Sequence, residues 1–153
     1  MAKKSKIRVI ALALIHRGDD LFLSLGRDPE TGREFCRALG GGVEFGETSA
    51  DALRREFQEE LQAELANVAY LGCIESLFTY NNIPHHEIIQ LYRADFVDQK
   101  FYDLDVITFH EGDGCAKAER TKEARWIPLG ELQTNPDRLV PAACWQYLDE
   151  LAL

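Results

Sequence analysis

Apolar and polar positions divide the chain into several strand-like segments and one segment with helical spacing. Residues 7–15 and 21–26 are rich in aliphatic side chains and flank a polar turn at 17–20, a pattern that predicts a first β-hairpin. Leu53, Phe57 and Leu61 recur at i, i+4 and i+8, which predicts an amphipathic helix. Strands are also predicted at 35–39, 68–78, 87–96 and 123–127, a loop at 79–86, a short helix from 129 and a last helix at 140–153.

The predicted amphipathic helix begins near Thr48 and carries an acidic face. Thr48 and Asp51 have the spacing of a capping box, with Asp in place of the usual Glu or Gln. Because successive helical residues differ by about 100°, Glu59 and Glu60 lie about 60° and about 40° to either side of Glu56. Like charges at this spacing repel one another unless a cation lies among them. Acidic helical faces are commonly only solvated, but the apolar stripe beside this one holds the carboxylates at the edge of the core.

A glycine-rich turn at 40–42 precedes this helix, and the two together resemble the Nudix box. That box runs Gly, five residues, Glu, seven residues, then Arg-Glu-apolar-any-Glu-Glu-any-Gly-apolar. The matching positions are Gly41, Glu47, Arg55, Glu56, Phe57, Glu59, Glu60 and Ala63. Eight matches within this spacing make a specific signal. The resemblance implies one Nudix hydrolase domain over 1–153, an α/β/α sandwich with a curved mixed β-sheet between helices.

One constrained position departs from the box, since Gln62 stands where the family has glycine. Glycine just past a helix turns the chain with positive φ at little cost, whereas Gln in that conformation costs about 1 kcal/mol. We therefore expect the helix to continue and to end near Asn67.

The resemblance also implies a reaction and a set of roles. The family hydrolyses a diphosphate bond in a nucleoside diphosphate linked to another moiety, and Mg²⁺ or Mn²⁺ suits three carboxylates beside a tight turn. By resemblance, Glu56, Glu59 and Glu60 are the catalytic metal ligands, with the backbone carbonyl of Gly41 or neighbouring Gly40 as a further ligand. Glu47 and Arg55 are implied to form a supporting ion pair between loop and helix.

The general base and the substrate contacts stay open at this level. Either a box carboxylate deprotonates the water, or an acid from a later loop does, and the candidates are Glu111, Asp113 and Glu119. Candidate substrate-binding residues are Arg27, Arg37, Tyr80, His86, Glu87 and Arg93, among which Arg37 is favoured because it lies just upstream of the glycine turn. Adjacent residues entering a strand point to opposite faces, so 85–87 cannot converge on one metal ion.

Composition narrows the class of protein further. The chain has 153 residues, of which 46% are hydrophobic and 28% charged, which is typical of one globular domain. Arg8 interrupts the first apolar run, which favours a strand over a secretory leader. A net charge of −9 argues against broad nucleic-acid binding, and no apolar run is long enough for a membrane span. Four scattered cysteines predict reduced thiols and a cytoplasmic location.

Two functions follow from different classes of protein. The first is a metal-dependent pyrophosphohydrolase acting on a small-molecule nucleotide: ADP-ribose or a sugar nucleotide, a dinucleoside polyphosphate, or a modified nucleoside triphosphate. The chain lacks the proline-rich tract of the NADH-cleaving members of the family. The alternative is a non-catalytic nucleotide-binding module with a regulatory or scaffold role, against which the retention of all three box carboxylates argues. A homodimer is left open, with residues 101–109 as its candidate interface.

Overall fold

The computed structural model describes residues 4–111 and 120–151, and within them nine strands form two sheets. The strands are β1 Ile7–Leu14, β2 His16–Arg17, β3 Asp20–Arg27, β4 Glu34–Arg37, β5 Leu39–Gly42, β6 Leu65–Tyr80, β7 Ile83–Phe96, β8 Val106–Glu111 and β9 Arg120–Pro128. The helices are α1 Ser49–Leu61, α2 Lys100–Asp103 and α3 Leu129–Thr134, with 3₁₀ helices at Pro136–Arg138 and Ala142–Leu151.

The first sheet is mixed and has the strand order β5-β1-β7-β6. Strands β1 and β7 are parallel, while β5 and β6 pair antiparallel to their neighbours. The apolar run of β1 is continuous because both faces of this strand are covered. Ala11 and Ala13 pack toward α1, whereas Ile10 and Leu12 pack toward the C-terminal 3₁₀ helix. This sheet therefore lies between helices, as the predicted mixed α/β sandwich requires.

The second sheet is antiparallel, with the order β2-β3-β9-β8, and β4 pairs with the C-terminal half of β3 on the edge away from β9. The predicted first hairpin is wrong in this respect, because β1 and β3 belong to different sheets. In place of β1, the two-residue strand β2 pairs with the start of β3, through His16 opposite Leu21 and Arg17 opposite Asp20. The polar turn at 17–20 is real, but the chain changes sheets between β1 and β2.

Strands β6 and β7 form a long hairpin where the sequence predicted a loop at 79–86. Tyr80 pairs directly with Ile83, which leaves a turn of only two residues. Asn81 and Asn82 both have positive φ, 52° and 60°, as a type I′ turn requires. Asparagine tolerates this conformation better than most residues, so the turn could have been read from the Asn-Asn pair.

Helix α1 begins as predicted and ends earlier than predicted. The Thr48 hydroxyl accepts a hydrogen bond from the Asp51 backbone N–H at 3.2 Å, which confirms the N-cap. The expected continuation to Asn67 is wrong, because Gln62 itself adopts the left-handed conformation with φ 51° and ψ 40°. Its N–H still reaches the Gln58 carbonyl at 3.0 Å, and the following Ala63 is buried in the core. Burial of Ala63 offsets the cost of the strained Gln.

The core has two parts, one on each side of the mixed sheet. The α1 side is built on aromatic rings, with Phe22, Phe57, Phe96, Phe101 and Trp126 all buried. The other side is aliphatic and is closed by the helix Ala142–Leu151, which is a 3₁₀ helix and not the predicted α-helix 140–153.

Two further expectations meet the structure here. Phe101 and Phe109 are core residues at 3% and 5% exposure, so these two side chains of the candidate interface 101–109 are not available to a partner. Cys36, Cys73 and Cys144 are free thiols, as predicted, and burial raises the pKa of Cys144 to about 11.

In the described part of the chain no helix is long and apolar enough to cross a membrane.

Candidate active site

The glycine turn lies inside strand β5, directly against helix α1. A Cβ atom on Gly41 would overlap the carboxylate of Glu56, so any other residue here would displace this acid from its place beside the strand. Gly40 has φ 154° and its missing Cβ makes way for the backbone of Ala11 in β1. These two glycines thus allow helix, turn and sheet to approach closely enough to bring Glu56 against the backbone.

Arg55 is the hub of the acidic face. Its Nε and Nη2 atoms donate to Glu47 Oε2 at 3.1 Å and to Oε1 at 2.6 Å. Its Nη2 also donates to the Gly42 carbonyl at 2.9 Å. The predicted ion pair between Glu47 and Arg55 is present in the structure, and the hydrogen bonds from Arg55 lower the pKa of the Glu47 carboxyl.

The same guanidinium reaches two of the three predicted metal ligands. Arg55 Nη1 lies 3.1 Å from Glu56 Oε1 and 3.2 Å from Glu59 Oε2, so these two carboxylates face a common point. The Glu56 side chain is only 16% exposed, and its burial raises its pKa despite the neighbouring Arg55. Glu59 is largely exposed, and Glu60 turns toward an adjacent cleft.

That cleft lies between the two sheets and begins at the glycine turn. Its polar lining is Arg8, Ser24, Arg37, Glu60, Glu87 and Lys122, and the backbone of Gly40 and Gly41 forms one wall. Arg37 Nη2 and Glu87 Oε1 form an ion pair at 2.6 Å, which joins β4 of one sheet to β7 of the other. The Glu87 side chain is 5% exposed, so this carboxylate is desolvated and held by the arginine.

The carboxylates supply the donors a divalent cation prefers, but they are not gathered around one point. Within residues 4–111 and 120–151, no group of three or more His, Cys, Asp or Glu side chains stands close enough to hold a metal ion. Arg55 binds oxygens of Glu56 and Glu59, and a cation would compete with it for them. The hard oxygens fit Mg²⁺ or Mn²⁺, and glutamate side chains are long enough to rearrange.

Of the predicted substrate residues, the cleft contains Arg37 and Glu87. Arg27, Tyr80, His86 and Arg93 are not among its lining residues. His86 lies in register with Ile7 and Leu77, on the opposite face of the mixed sheet from Glu87, because successive strand residues alternate. Arg93 is six residues farther along β7, about 20 Å from Glu87.

The predicted loop bases cannot be placed. Asp113 and Glu119 lie outside the described residues, and of Glu111 only the backbone at the end of β8 is described. All three stay predictions.

Three cleft residues were missed by sequence reasoning: Arg8, Ser24 and Lys122. The sequence could have indicated Arg8, because it is a charged residue on the same strand face as the apolar Ile10 and Leu12. Its position opposite Glu87 depends on the parallel pairing of β1 with β7, which no local pattern indicates. Lys122 lies opposite Phe109 in the β8–β9 pair, and both residues line the cleft.

One curated relative matches most of this chain. The chain is 27% identical over 125 residues to the NAD-capped RNA hydrolase NudC of Pseudomonas syringae pv. syringae, an alignment covering 82% of this chain and 37% of that protein. The chain therefore spans little more than a third of this curated relative.

Solved structures share the fold. A NUDIX hydrolase from Nitrosomonas europaea superposes with a TM-score of 0.62 at 17% identity, covering 96% of this chain and 89% of that one. The E. coli ORF135 protein gives 0.52 at 25% identity, covering 91% and 84%. The family model described as NUDIX domain matches residues 6–144. This chain belongs to the NUDIX family.

Proposed function

We propose that the chain hydrolyses a diphosphate bond in a nucleoside diphosphate linked to another moiety, with Mg²⁺ bound by Glu56, Glu59 and Glu60. The observation that supports this most is the packing of the half-buried Glu56 carboxylate against Gly41, at the mouth of a cleft whose lining includes Arg8, Arg37 and Lys122. Burying a carboxylate costs free energy unless a cation compensates its charge. The cation next to Glu56 is Arg55, which also pairs with Glu47 and Glu59 and so compensates Glu56 only in part.

The cofactor follows from the donor set. Four carboxylates lie within 4 Å of the Arg55 guanidinium, those of Glu44, Glu47, Glu56 and Glu59, and they leave an excess of negative charge that a divalent cation would neutralise. When bound, Mg²⁺ supplies charge neutralisation of the diphosphate and lowers the pKa of the attacking water, and Mn²⁺ can replace it. Glu47 holds Arg55 in place, so that the guanidinium stays next to the carboxylates when some of its contacts are replaced.

The remaining residues bind the substrate. Arg8, Arg37 and Lys122 place positive charge in the cleft, where an anionic diphosphate next to Gly41 and Glu60 would meet it. Glu87 orients Arg37 through their 2.6 Å ion pair. The base that removes a proton from water is a box carboxylate or one of the loop acids.

Three substrate groups were expected from the sequence: ADP-ribose or sugar nucleotides, dinucleoside polyphosphates, and modified nucleoside triphosphates. The relative named as a NAD-capped RNA hydrolase adds NAD-capped RNA, although the proline-rich tract of the NADH-cleaving members is missing. RNA is therefore retained as a candidate partner despite the charge of −9. The homodimer and the cytoplasmic location stay predictions.

A hydrolysis assay tests the proposal. Wild type, Glu59→Gln and Glu60→Gln are incubated with Mg²⁺ and each substrate group, and phosphatase releases phosphate from monoester products. Glu64→Gln is the matched control, because it makes the same charge change at an exposed position just past α1. We expect one group to be cleaved well ahead of the rest, with loss of about 100-fold or more in both box variants and none in the control. Metal-dependent nucleotide binding without turnover of any substrate would favour the non-catalytic module instead.

A further inference from the structure

Four aromatic side chains meet where the two sheets open outward beyond the cleft. The rings of Phe78 and His85 are stacked, with centroids 5.0 Å apart and planes within 6°. Tyr80 stands edge-on to His85 at 6.3 Å, and Phe35 edge-on to Tyr80 at 6.1 Å. We call these four residues the aromatic cluster. Phe35 comes from β4 and the other three from the β6–β7 hairpin, so the cluster bridges the two sheets as the Arg37–Glu87 ion pair does.

The aromatic cluster is the next layer outward from that ion pair. Phe35 precedes Arg37 by two residues on β4, and His85 precedes Glu87 by two residues on β7. Residues two apart on a strand share a face and are about 7 Å apart. Since Arg37 and Glu87 are in contact and line the cleft, the rings of the cluster continue the same surface away from the box carboxylates.

The rings of the aromatic cluster are partly accessible to solvent. All four side chains are partly exposed, whereas the core aromatics Phe22, Phe57 and Phe96 are at most 4% exposed. The Phe35 ring lies directly over Gly26 of β3, where any Cβ would overlap it. The Tyr80 hydroxyl is 3.5 Å from the Arg27 carbonyl. The rings are thus held in place from behind while part of their surface stays open to solvent.

We propose that the aromatic cluster is a stacking subsite for the heteroaromatic base of the substrate, with His85 as its central ring. This inference rests on the proposed function, since it gives the cleaved nucleotide an orientation: diphosphate at Gly41 and the carboxylates, base toward the cluster. Stacking on aromatic rings tolerates different bases because every base has a π face. The subsite therefore selects for a planar group and leaves its identity to other contacts. His85 takes this role and its neighbour His86 does not, because His86 lies on the other face of the sheet.

The first test measures binding without turnover. Metal-free protein in EDTA is titrated with AMP or with ribose 5-phosphate, which lacks the base, while the ring C–H signals of the histidines are followed by NMR. His85→Phe assigns the His85 signal. We expect AMP to shift the His85 signal and to leave that of His16 in place, and ribose 5-phosphate to shift neither. An unmoved His85 signal, or equal shifts with both ligands, overturns the subsite.

The second test separates the subsite from the reaction. His85→Ala is expected to raise KM for the nucleotide that is cleaved best by about tenfold with kcat within about twofold, since one stacking partner is lost. His85→Phe preserves a stacked ring and is expected to stay close to wild type, as is the control His16→Ala. An unchanged KM in His85→Ala with normal hydrolysis overturns the subsite alone. Absent hydrolysis in the wild type, together with an AMP-specific shift of His85, overturns the proposed reaction and retains the subsite.

Discussion

Arg55 and Glu47 form a two-point contact that fixes the loop before α1 to the helix itself. Both guanidinium nitrogens on one edge, Nε and Nη2, donate to the two carboxylate oxygens at 3.1 and 2.6 Å. Side-chain exposures of 25% and 19% place the contact in a partly desolvated position. Two parallel hydrogen bonds fix the relative orientation of the two side chains and also stabilise the contact, so the position of the acidic face depends on it.

Arg55→Lys tests that dependence. Lysine keeps the charge but offers one ammonium group in place of a planar fork, so it cannot serve Glu47, Glu56 and Glu59 together. We expect a loss of about 1–2 kcal/mol in the free energy of unfolding, measured by urea denaturation. The matched control is Arg54→Lys, which changes an exposed neighbour on the same helix and is expected to have little effect. Equal losses in the two variants would show that the fork geometry contributes nothing.

Glu56→Gln is expected to stabilise the fold while abolishing hydrolysis. Burial raises the pKa of Glu56, so the folded chain holds this proton more tightly than the unfolded chain does. Its ionisation therefore lowers stability as the pH rises above the ordinary Glu value of about 4.3. The variant should gain on the wild type between that pH and neutrality, and show little difference below it. Urea denaturation across pH 4–8 measures the gain, and an advantage that shrank with rising pH would contradict the assigned direction.

Mg²⁺ is expected to stabilise the wild type against unfolding. A ligand that binds only the folded state at about 100 times its Kd adds about 2.7 kcal/mol. Thermal unfolding with increasing Mg²⁺ measures this, and the shift should be lost in Glu59→Gln and Glu60→Gln but kept in Glu64→Gln. A shift of equal size in all four proteins would place the ion elsewhere on the chain.

Asp28 links the β3–β4 loop to the β6–β7 turn, and its ionisation supports that link. Its Oδ1 accepts hydrogen bonds from the Glu30 and Asn81 backbone N–H groups at 2.9 and 3.1 Å, and the first of these contributes most to lowering its pKa. A lowered folded pKa gives stability that is present above the ordinary Asp value of about 3.9 and is lost as the pH falls through the folded pKa.

Asp28→Asn should therefore be least stable relative to the wild type near neutral pH, with the difference shrinking in acid. Hydrogen exchange at Asn81 and Asn82 is expected to speed up in the variant. Asp19→Asn, at an exposed position, serves as the control. Unchanged exchange at the turn would mean that Asp28 does not hold it.

The sequence predicted correctly those features whose residues lie close together along the chain. Helix α1, its cap at Thr48 and the Glu47–Arg55 pair lie within a short stretch of chain, where fixed spacing determines which side chains meet. The cleft instead depends on pairings between distant segments, such as Arg8 opposite Glu87 in the parallel β1–β7 pair. Strand patterns report burial and not partners, which is why the sequence predicted a hairpin between β1 and β3 that the structure does not contain.

Gln62 is a local feature that helix propensity misjudged, and substitutions there test whether backbone strain or side-chain contacts set the cost of the turn. Left-handed backbone costs a residue with a Cβ about 1 kcal/mol, yet the chain turns here at φ 51° and buries Ala63. Gln62→Gly should raise the free energy of unfolding by about 0.5–1 kcal/mol with kcat unchanged, because the three carboxylates precede the turn. Gln62→Ala is the control, since it removes the long side chain and its 3.3 Å hydrogen bond to the Glu59 carbonyl but keeps the Cβ. If alanine stabilised the fold as much as glycine in urea denaturation, the glutamine side chain and not the backbone conformation would be the source of the cost.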